Sequence, residues 1–161
     1  MEGSKKRIIT VAAFLVIAAI VMLIDQFTKQ LANAHQVGET FSTLIPGVLQ
    51  FTLVHNTGAA WGMFGDWTNG LVVLGLVVCI FILCFVMFNS NNTNALMVIS
   101  CSLIFAGGLG NAIDRFINGY VVDMIEVVFI DYPVFNVADC AITIGVGLLS
   151  INMIFFNKRD N

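Results

Sequence analysis

Two carboxylic acids in the C-terminal third of the chain have the surroundings for shared acid–base chemistry. Asp123 lies in the apolar stretch VVDMI, and Asp139 follows Asn136 by three positions. At a separation of about 4 Å and an effective dielectric of about 20, two carboxylates repel by roughly 4 kcal/mol, so the pair would share one proton. Such a pair polarises a water through its ionised member and protonates a carbonyl oxygen or a leaving amine through the other, which hydrolyses a peptide without a covalent intermediate.

Simpler interpretations stay open for each acid taken alone. Asn136 and Asp139 have the spacing of a helix N-cap followed by an acid that the helix dipole favours. Asp123 fits a loop carboxylate in an ordinary ion pair. Cys140 adjoins Asp139, but burial disfavours its thiolate, so a cysteine nucleophile is poorly supported.

The residue inventory argues against other kinds of hydrolytic site. His35 and His55 are the two histidines of the chain, and neither has a second ligand at helical spacing, so we expect no metal and no cofactor. A GxSxG motif is absent, and a dyad of Ser42 with Lys29 is a weak option. The cysteines lie in apolar runs without CxxC spacing, which is typical of small buried hydrophobes. They are Cys79, Cys84, Cys101 and Cys140.

The amino-acid composition indicates that the chain is a membrane protein. Of 161 residues, 58% are apolar and only 11% are charged, whereas about a quarter are charged in soluble domains. The net charge of −3, without a basic stripe, argues against a nucleic-acid partner.

Four apolar segments predict an α-helical membrane protein with four transmembrane helices, in a single domain covering residues 1–161. They run over about 8–24, 70–88, 95–113 and 136–156. The first is long enough to nearly cross a hydrocarbon layer of about 30 Å. A secretory signal peptide is the alternative for it, because basic residues precede it and Ala-Asn-Ala follows at 32–34. Its length and the polar stretch before those alanines favour a retained helix.

The charge distribution predicts the orientation in the membrane. Five of the seven basic residues lie near the two termini, and the positive-inside rule places both termini in the cytoplasm. These residues are Lys5, Lys6, Arg7, Lys158 and Arg159. Residues 30–69 then lie on the extracytoplasmic side. Within them, alternating apolar residues after a Pro-Gly turn predict a small β element, and Asp123 and Asp139 are expected at the same face.

Further polar residues near that face are candidates for lining or supporting a site. Asp25 and Lys29 have the i, i+4 spacing of a helix ion pair. Asn111 and Arg115 share a helix face and follow a glycine-rich run that favours close helix packing. These groups either bind a polar ligand or tie down the outer loops.

Five motifs in order resemble the bacterial lipoprotein signal peptidases, the type II signal peptidase family. They are DQFTK (25–29), HNTGAAWG (55–62), GGLGNAIDR (107–115), VVDM (121–124) and FNVAD (135–139). The resemblance covers nearly the whole chain. It implies a membrane aspartic endopeptidase that removes signal peptides from diacylglyceryl-modified prolipoproteins, cutting before the lipidated cysteine. It also implies a place in the bacterial cytoplasmic (inner) membrane, with the active site at the extracytoplasmic face.

The resemblance assigns roles residue by residue. Asp123 and Asp139 match the catalytic dyad. The residues that match site-lining or substrate-binding positions are Asn56, Asn111, Arg115 and Asn136. Those that match supporting positions are Asp25, Lys29, Asp114 and Gly58. The implied partners are a lipid-modified prolipoprotein, membrane phospholipid and globomycin-type inhibitors, for a monomer. Met124 and Cys140 stand where Phe and Ser are more common, which affects the pocket shape rather than the carboxyl chemistry.

Two functions of other classes remain as alternatives. A small transporter or channel subunit would use Asp123 and Asp139 as a proton relay, with solute or proton flux and no precursor processing. A non-catalytic assembly subunit would tolerate asparagine at both positions. The concentration of polar motifs at one membrane boundary disfavours the second alternative.

Overall fold

Four long helices form the body of the protein in the computed structural model, which describes residues 2–59, 63 and 65–156. They are α1 (Glu2–Ala32), α2 (Thr68–Asn89), α3 (Ala95–Asn118) and α4 (Val137–Phe155). Each is long and apolar enough to cross a membrane. The predicted fold class is therefore confirmed.

Two of the helices extend well beyond the predicted apolar segments. α1 continues through polar turns on both sides of residues 8–24, and α3 continues to Asn118. Gly119 then ends α3 in the left-handed region, at φ 81°, where glycine is favoured because it has no Cβ. An apolar run marks only the part of a helix that lies in hydrocarbon, so the polar ends were not predicted.

A three-stranded antiparallel sheet covers one end of the bundle. Its strands are β1 (Thr40–Ile45), β2 (Leu49–Asn56) and β3 (Val121–Val127), in the order β1-β2-β3. The first two confirm the β element predicted within residues 30–69. The third comes from the segment between α3 and α4 and contains Asp123, so the alternative interpretation of Asp123 as a loop carboxylate is wrong. In the β2–β3 register, Val54 lies opposite Asp123.

The helices alternate in direction, and the sheet lies at the end where α1 and α3 finish and α4 begins. There, Ala32 of α1 packs with Leu53, Val122 and Met124 of the sheet. At the opposite end, Asn152 near the end of α4 donates to the side chain that caps α3 (2.7 Å). The predicted sidedness in the membrane stays a prediction, and Lys158 and Arg159 lie outside the described residues.

Glycines on α3 allow its neighbours to approach closely. A Cβ on Gly107 would lie 2.3 Å from the carbonyl oxygen of Ala138, and one on Gly110 would lie 2.6 Å from Oδ2 of Asp25. Both distances are far below van der Waals contact. The predicted close packing at the glycine-rich run is confirmed, and it brings α1 and α4 against the same stretch of α3.

The cysteines follow the expectation only in part. Cys79 and Cys101 are buried and Cys140 is partly buried, but Cys84 is exposed. The interpretation of all four as buried hydrophobes is wrong for Cys84. α2 is apolar all round and buries few of its residues, so an apolar residue on it lies on the outer surface as readily as inside.

Candidate active site

Strand β3 holds Asp123 in a nearly enclosed position, where its side chain is 2% exposed. Its Oδ2 accepts from Nδ2 of Asn56 (3.0 Å), and its Oδ1 accepts from Nδ2 of Asn136 (2.6 Å). Burial raises the pKa of Asp123 from 3.8 to about 6 and outweighs the hydrogen bond from Asn56, which lowers it; the nearby charge of Asp139 raises it further. Asp123 is therefore a carboxyl group that keeps its proton closer to neutral pH than an ordinary aspartate.

The first turn of α4 holds Asp139. The side chain of Asn136 accepts from the backbone N–H of Asp139 (2.9 Å), and Oδ2 of Asp139 accepts from the backbone N–H of Asn136 (3.1 Å). This reciprocal pair is a capping box, so the N-cap interpretation is confirmed. The other oxygen, Oδ1, accepts from Nδ2 of Asn111 (2.8 Å). The carboxylate of Asp139 therefore completes the helix cap with one oxygen and accepts a hydrogen bond from Asn111 with the other.

Both carboxylates line one cavity of about 400 Å³ between α2, α3, α4 and the loop before α4. Asn56, Asn111 and Arg115 line the same cavity. Asn136 is fully buried and holds the two acids rather than forming the wall. The structure thus brings the two predicted catalytic residues and three of the four predicted site-lining residues to one cavity, with Asn136 buried behind its wall.

Asn136 connects the two acids directly. It exchanges the capping bonds with Asp139, and its Nδ2 reaches Oδ1 of Asp123. The same Nδ2 is 3.2 Å from Oδ1 of Asn111. One side chain therefore fixes the start of α4 relative to both β3 and α3.

Behind the cavity, Lys29 lies at the centre of a buried cluster of charges. Its Nζ is 2.9 Å from a carboxylate oxygen of Asp25 and 2.9 Å from one of Asp114, and it donates to Oδ1 of Asn111 (2.9 Å). The predicted ion pair of Asp25 with Lys29 is confirmed. Because Lys29 is enclosed by three acceptors and Ser42 is exposed on β1, the dyad of these two residues is not formed.

The acids of this cluster connect four elements around the site. Asp25 on α1 accepts from the backbone N–H of Ala138 on α4 (2.9 Å). Asp114 on α3 accepts from the backbone N–H of Val122 on β3 (3.4 Å). These bonds hold the backbone next to Asp139 and next to Asp123.

Arg115 reaches across the cavity to the loop that follows β2. It donates to the carbonyl oxygen of Gly58 (2.6 Å) and to that of Asn111 (3.3 Å), so Asn111 and Arg115 share a face as predicted. The N–H of Gly58 donates in turn to Oδ1 of Asn56 (3.0 Å). Within the described part of the chain, Nε of Arg115 is buried and has no hydrogen-bond partner.

Sequence reasoning missed the apolar walls of the cavity. They include Leu71, Leu74 and Gly75 of α2, Gly108 of α3, and residues 132–135. Gly75 lies close to the backbone of Gly108, and two glycines on consecutive helices were the available signal for this close approach. Among the residues that the structure describes, no three His, Cys, Asp or Glu side chains group as metal ligands would.

Comparison with known proteins identifies relatives along nearly the whole chain. The family described as signal peptidase (SPase) II matches residues 17–155. A lipoprotein signal peptidase of Lactobacillus johnsonii is 36% identical over 150 residues, which cover 92% of this chain and 96% of that protein. One from Microcystis aeruginosa is 40% identical over 141 residues, which cover 86% and 90%. A solved structure described as a bacterial membrane enzyme has a TM-score of 0.83 at 35% identity, with 93% of each chain covered.

The fold and the site together define a multi-pass membrane protein with two hydrogen-bonded carboxylic acids over one cavity. Within that class, the matched residues and the identity to the relatives settle the family. The chain belongs to the signal peptidase II family.

Proposed function

We propose that this protein is an aspartic endopeptidase that removes signal peptides from diacylglyceryl-modified prolipoproteins and cuts before the lipidated cysteine. Membership of the signal peptidase II family, with relatives named lipoprotein signal peptidases, supports the substrate class. The observation that carries the mechanism is that Asp123 and Asp139 line one cavity and are joined through Asn136.

The environments of the two acids suggest different roles. Asp123 has a pKa raised to about 6 by burial, which suits the protonated member of the pair. Asp139 accepts two N–H groups at the start of α4, where the helix dipole favours a negative charge. Asp139 therefore serves as the base and Asp123 as the acid.

Hydrolysis then follows from one water held between the carboxyl groups. Asp139 takes a proton from this water as its oxygen attacks the scissile carbonyl carbon, while Asp123 gives its proton to the carbonyl oxygen. The neutral tetrahedral intermediate collapses when Asp123 recovers the hydroxyl proton and Asp139 delivers its proton to the departing nitrogen. Both acids return to their starting states, and no covalent enzyme intermediate forms.

Arg115 and the amides around the dyad position the substrate and the acids. Arg115 lines the cavity, and the N–H groups of its guanidinium that remain free of the bonds to Gly58 and Asn111 would bind a backbone carbonyl or a glyceryl oxygen. Asn56, Asn111 and Asn136 hold the carboxylates through N–H donors. Positioning of this kind is the main benefit of bringing reactants into attack geometry.

The location of the cavity agrees with a lipid-anchored substrate. It lies at the sheet end of a bundle that is long and apolar enough to span a membrane. A precursor held in the bilayer by a signal helix and two acyl chains would present its scissile bond at that depth. We place the enzyme in the bacterial cytoplasmic membrane as a monomer surrounded by phospholipid. The cavity then opens at the extracytoplasmic face, where it would also accept globomycin-type peptides.

The decisive experiment measures cleavage of a lipidated and an unlipidated precursor by the purified protein. We expect cleavage of the lipidated form alone, inhibited by globomycin, and a loss of about 10²-fold to 10⁴-fold in Asp123→Asn and in Asp139→Asn. Glu126→Gln is the matched control, because Glu126 is on the same strand and bonds Gln50 rather than the dyad. An active Asp→Asn variant, or proton flux in liposomes without processing, would reject the proposal.

A further inference from the structure

A second groove lies at the end of the bundle away from the sheet, between the first turns of α1 and the start of α3. Its volume is about 670 Å³. One wall is formed by Ile9, Ala13 and Ile17 on α1, and the other by Val98 and Ile99 on α3. This groove shares no lining residue with the cavity of the two aspartates.

The mouth of the groove is polar, in contrast to its walls. It is formed by Lys5 and Lys6 of α1, with Thr93 and Asn94 facing them. Lys6 donates one hydrogen bond to the carbonyl oxygen of Asn91 (2.5 Å), which leaves further N–H donors of its ammonium group for a ligand. One acidic side chain, Glu2, also lines the mouth.

The order of these groups along α1 matches a phospholipid. The walls from Ile9 to Ile17 extend about 12 Å along α1 at about 1.5 Å per residue, which is part of the length of an acyl chain. The lysines lie at the end of that wall, next to the N-terminus of α3, whose partial positive charge adds to theirs. A negatively charged headgroup would therefore meet cations while its acyl chain lay against apolar side chains.

We propose that this groove binds one anionic phospholipid, with its phosphate at Lys5 and Lys6 and one acyl chain along the wall of Ile9, Ala13 and Ile17. The charge of the mouth selects an anionic lipid over a zwitterionic one. The apolar wall selects a lipid over a free phosphate. The bound lipid fixes the first turns of α1 against α3 at the end of the bundle remote from the peptidase cavity.

The test is native mass spectrometry of the purified full chain with phosphatidylglycerol or phosphatidylcholine added. We expect one phosphatidylglycerol to be retained in preference to phosphatidylcholine. Each of Lys5→Gln and Lys6→Gln should weaken retention about fivefold, the effect expected of one basic residue near a membrane surface. Glu2→Gln should strengthen it, because it removes the opposing charge.

Two matched controls separate the groove from general attraction to anionic lipid. Arg7 is exposed and does not line the groove, so Arg7→Gln removes the same charge but should leave retention unchanged. Ala13→Leu fills the wall with every charge in place and should reduce retention, whereas Ala12→Leu, on the exposed side of α1, should not. Equal losses in Arg7→Gln and Lys5→Gln, or equal binding of both lipids, would overturn the proposal. Retention unchanged in Ala13→Leu would also overturn it.

Discussion

Asn136 and Asp139 exchange two hydrogen bonds at the start of α4, and the carboxylate that completes this exchange also lines the cavity. Asn136 in addition donates to Asp123. One asparagine therefore both starts a membrane helix and holds an acid that comes from a different element. Its two tasks use different atoms, since Oδ1 caps the helix and Nδ2 binds Asp123.

Substitutions at Asn136 should separate these tasks. Asn136→Ser keeps an oxygen that caps the helix but loses the donor to Asp123, so cleavage should fall at least about tenfold while the stability loss stays smaller than in Asn136→Ala. Asn136→Ala loses both and should also lower the free energy of unfolding by about 1 to 2 kcal/mol. Thermal unfolding in detergent and precursor cleavage measure the two effects. Equal stability of both variants would contradict the assignment of Oδ1 to the cap.

The pH dependence of cleavage should report the proton on Asp123. Because burial raises the pKa of Asp123 to about 6, its acid form is lost as the pH rises through that value, and the rate should fall there. The hydrogen bond from Asn56 lowers this pKa, so Asn56→Ala should move the alkaline limb to higher pH. Gln50→Ala, another amide on β2 that bonds Glu126 instead, should leave the limb in place.

The same raised pKa predicts a pH dependence of stability. The folded state binds the proton of Asp123 more tightly than the unfolded chain does. Protonation of Asp123 therefore contributes to the free energy of unfolding in full below about pH 3.8, and this contribution is lost as the pH rises through about 6. The decrease amounts to about 3 kcal/mol at most. Unfolding measured between pH 4 and 7 should show a smaller decrease in Asp123→Asn than in the unsubstituted protein. An identical slope in both would show that another group titrates.

Removing Lys29 should destabilise the protein strongly. Lys29→Met leaves the buried carboxylates of Asp25 and Asp114 without their cation, which costs about 3 to 5 kcal/mol. The triple variant with Asp25→Asn and Asp114→Asn removes the uncompensated charge and should recover much of that loss. Arg7→Met, at an exposed position of the same helix that lines neither cavity, is the control and should unfold like the unsubstituted protein. If Lys29→Met were as stable as this control, the buried charge cluster would not stabilise the protein.

The glycines of the bundle should tolerate alanine according to the space that the structure leaves. Gly107→Ala places a methyl group 2.3 Å from the backbone oxygen of Ala138, which forces α3 and α4 apart and should cost about 1 to 3 kcal/mol. At Gly147 on α4 no atom lies within 4 Å of such a group, so Gly147→Ala should be neutral or slightly stabilising. Melting temperatures of the two variants provide the comparison, and equal values would argue against tight packing at Gly107.

Local patterns were sufficient to predict the helices and the local contacts of the site. Apolar runs located α1 to α4, spacing of four residues gave the ion pair of Asp25 with Lys29, and spacing of three gave the cap of Asn136 with Asp139. Each of these signals lies within one element, where sequence distance fixes spatial distance.

Other features depended on contacts between distant parts of the chain. β3 begins with four consecutive buried residues, so it lacks the alternation by which a half-exposed strand is recognised. The bond of Lys29 to Asn111 spans 82 residues, and no local spacing indicates it. The sequence motifs indicated the two acids and the three asparagines near them, but which amide bonds which carboxylate became clear only once the elements were packed together.

The order of the helices along the chain has a consequence for synthesis. Asp139 lies in the first turn of α4, Asn136 caps that helix, and the carboxylate of Asp123 accepts a hydrogen bond from Asn136. A nascent chain that has inserted α1, α2 and α3 therefore still lacks Asp139 and the amide that bonds Asp123. The site forms only after α4 has been synthesised and inserted, so truncation before residue 136 should yield a product that does not cleave a precursor, and the missing helix, supplied as a separate polypeptide, should restore cleavage.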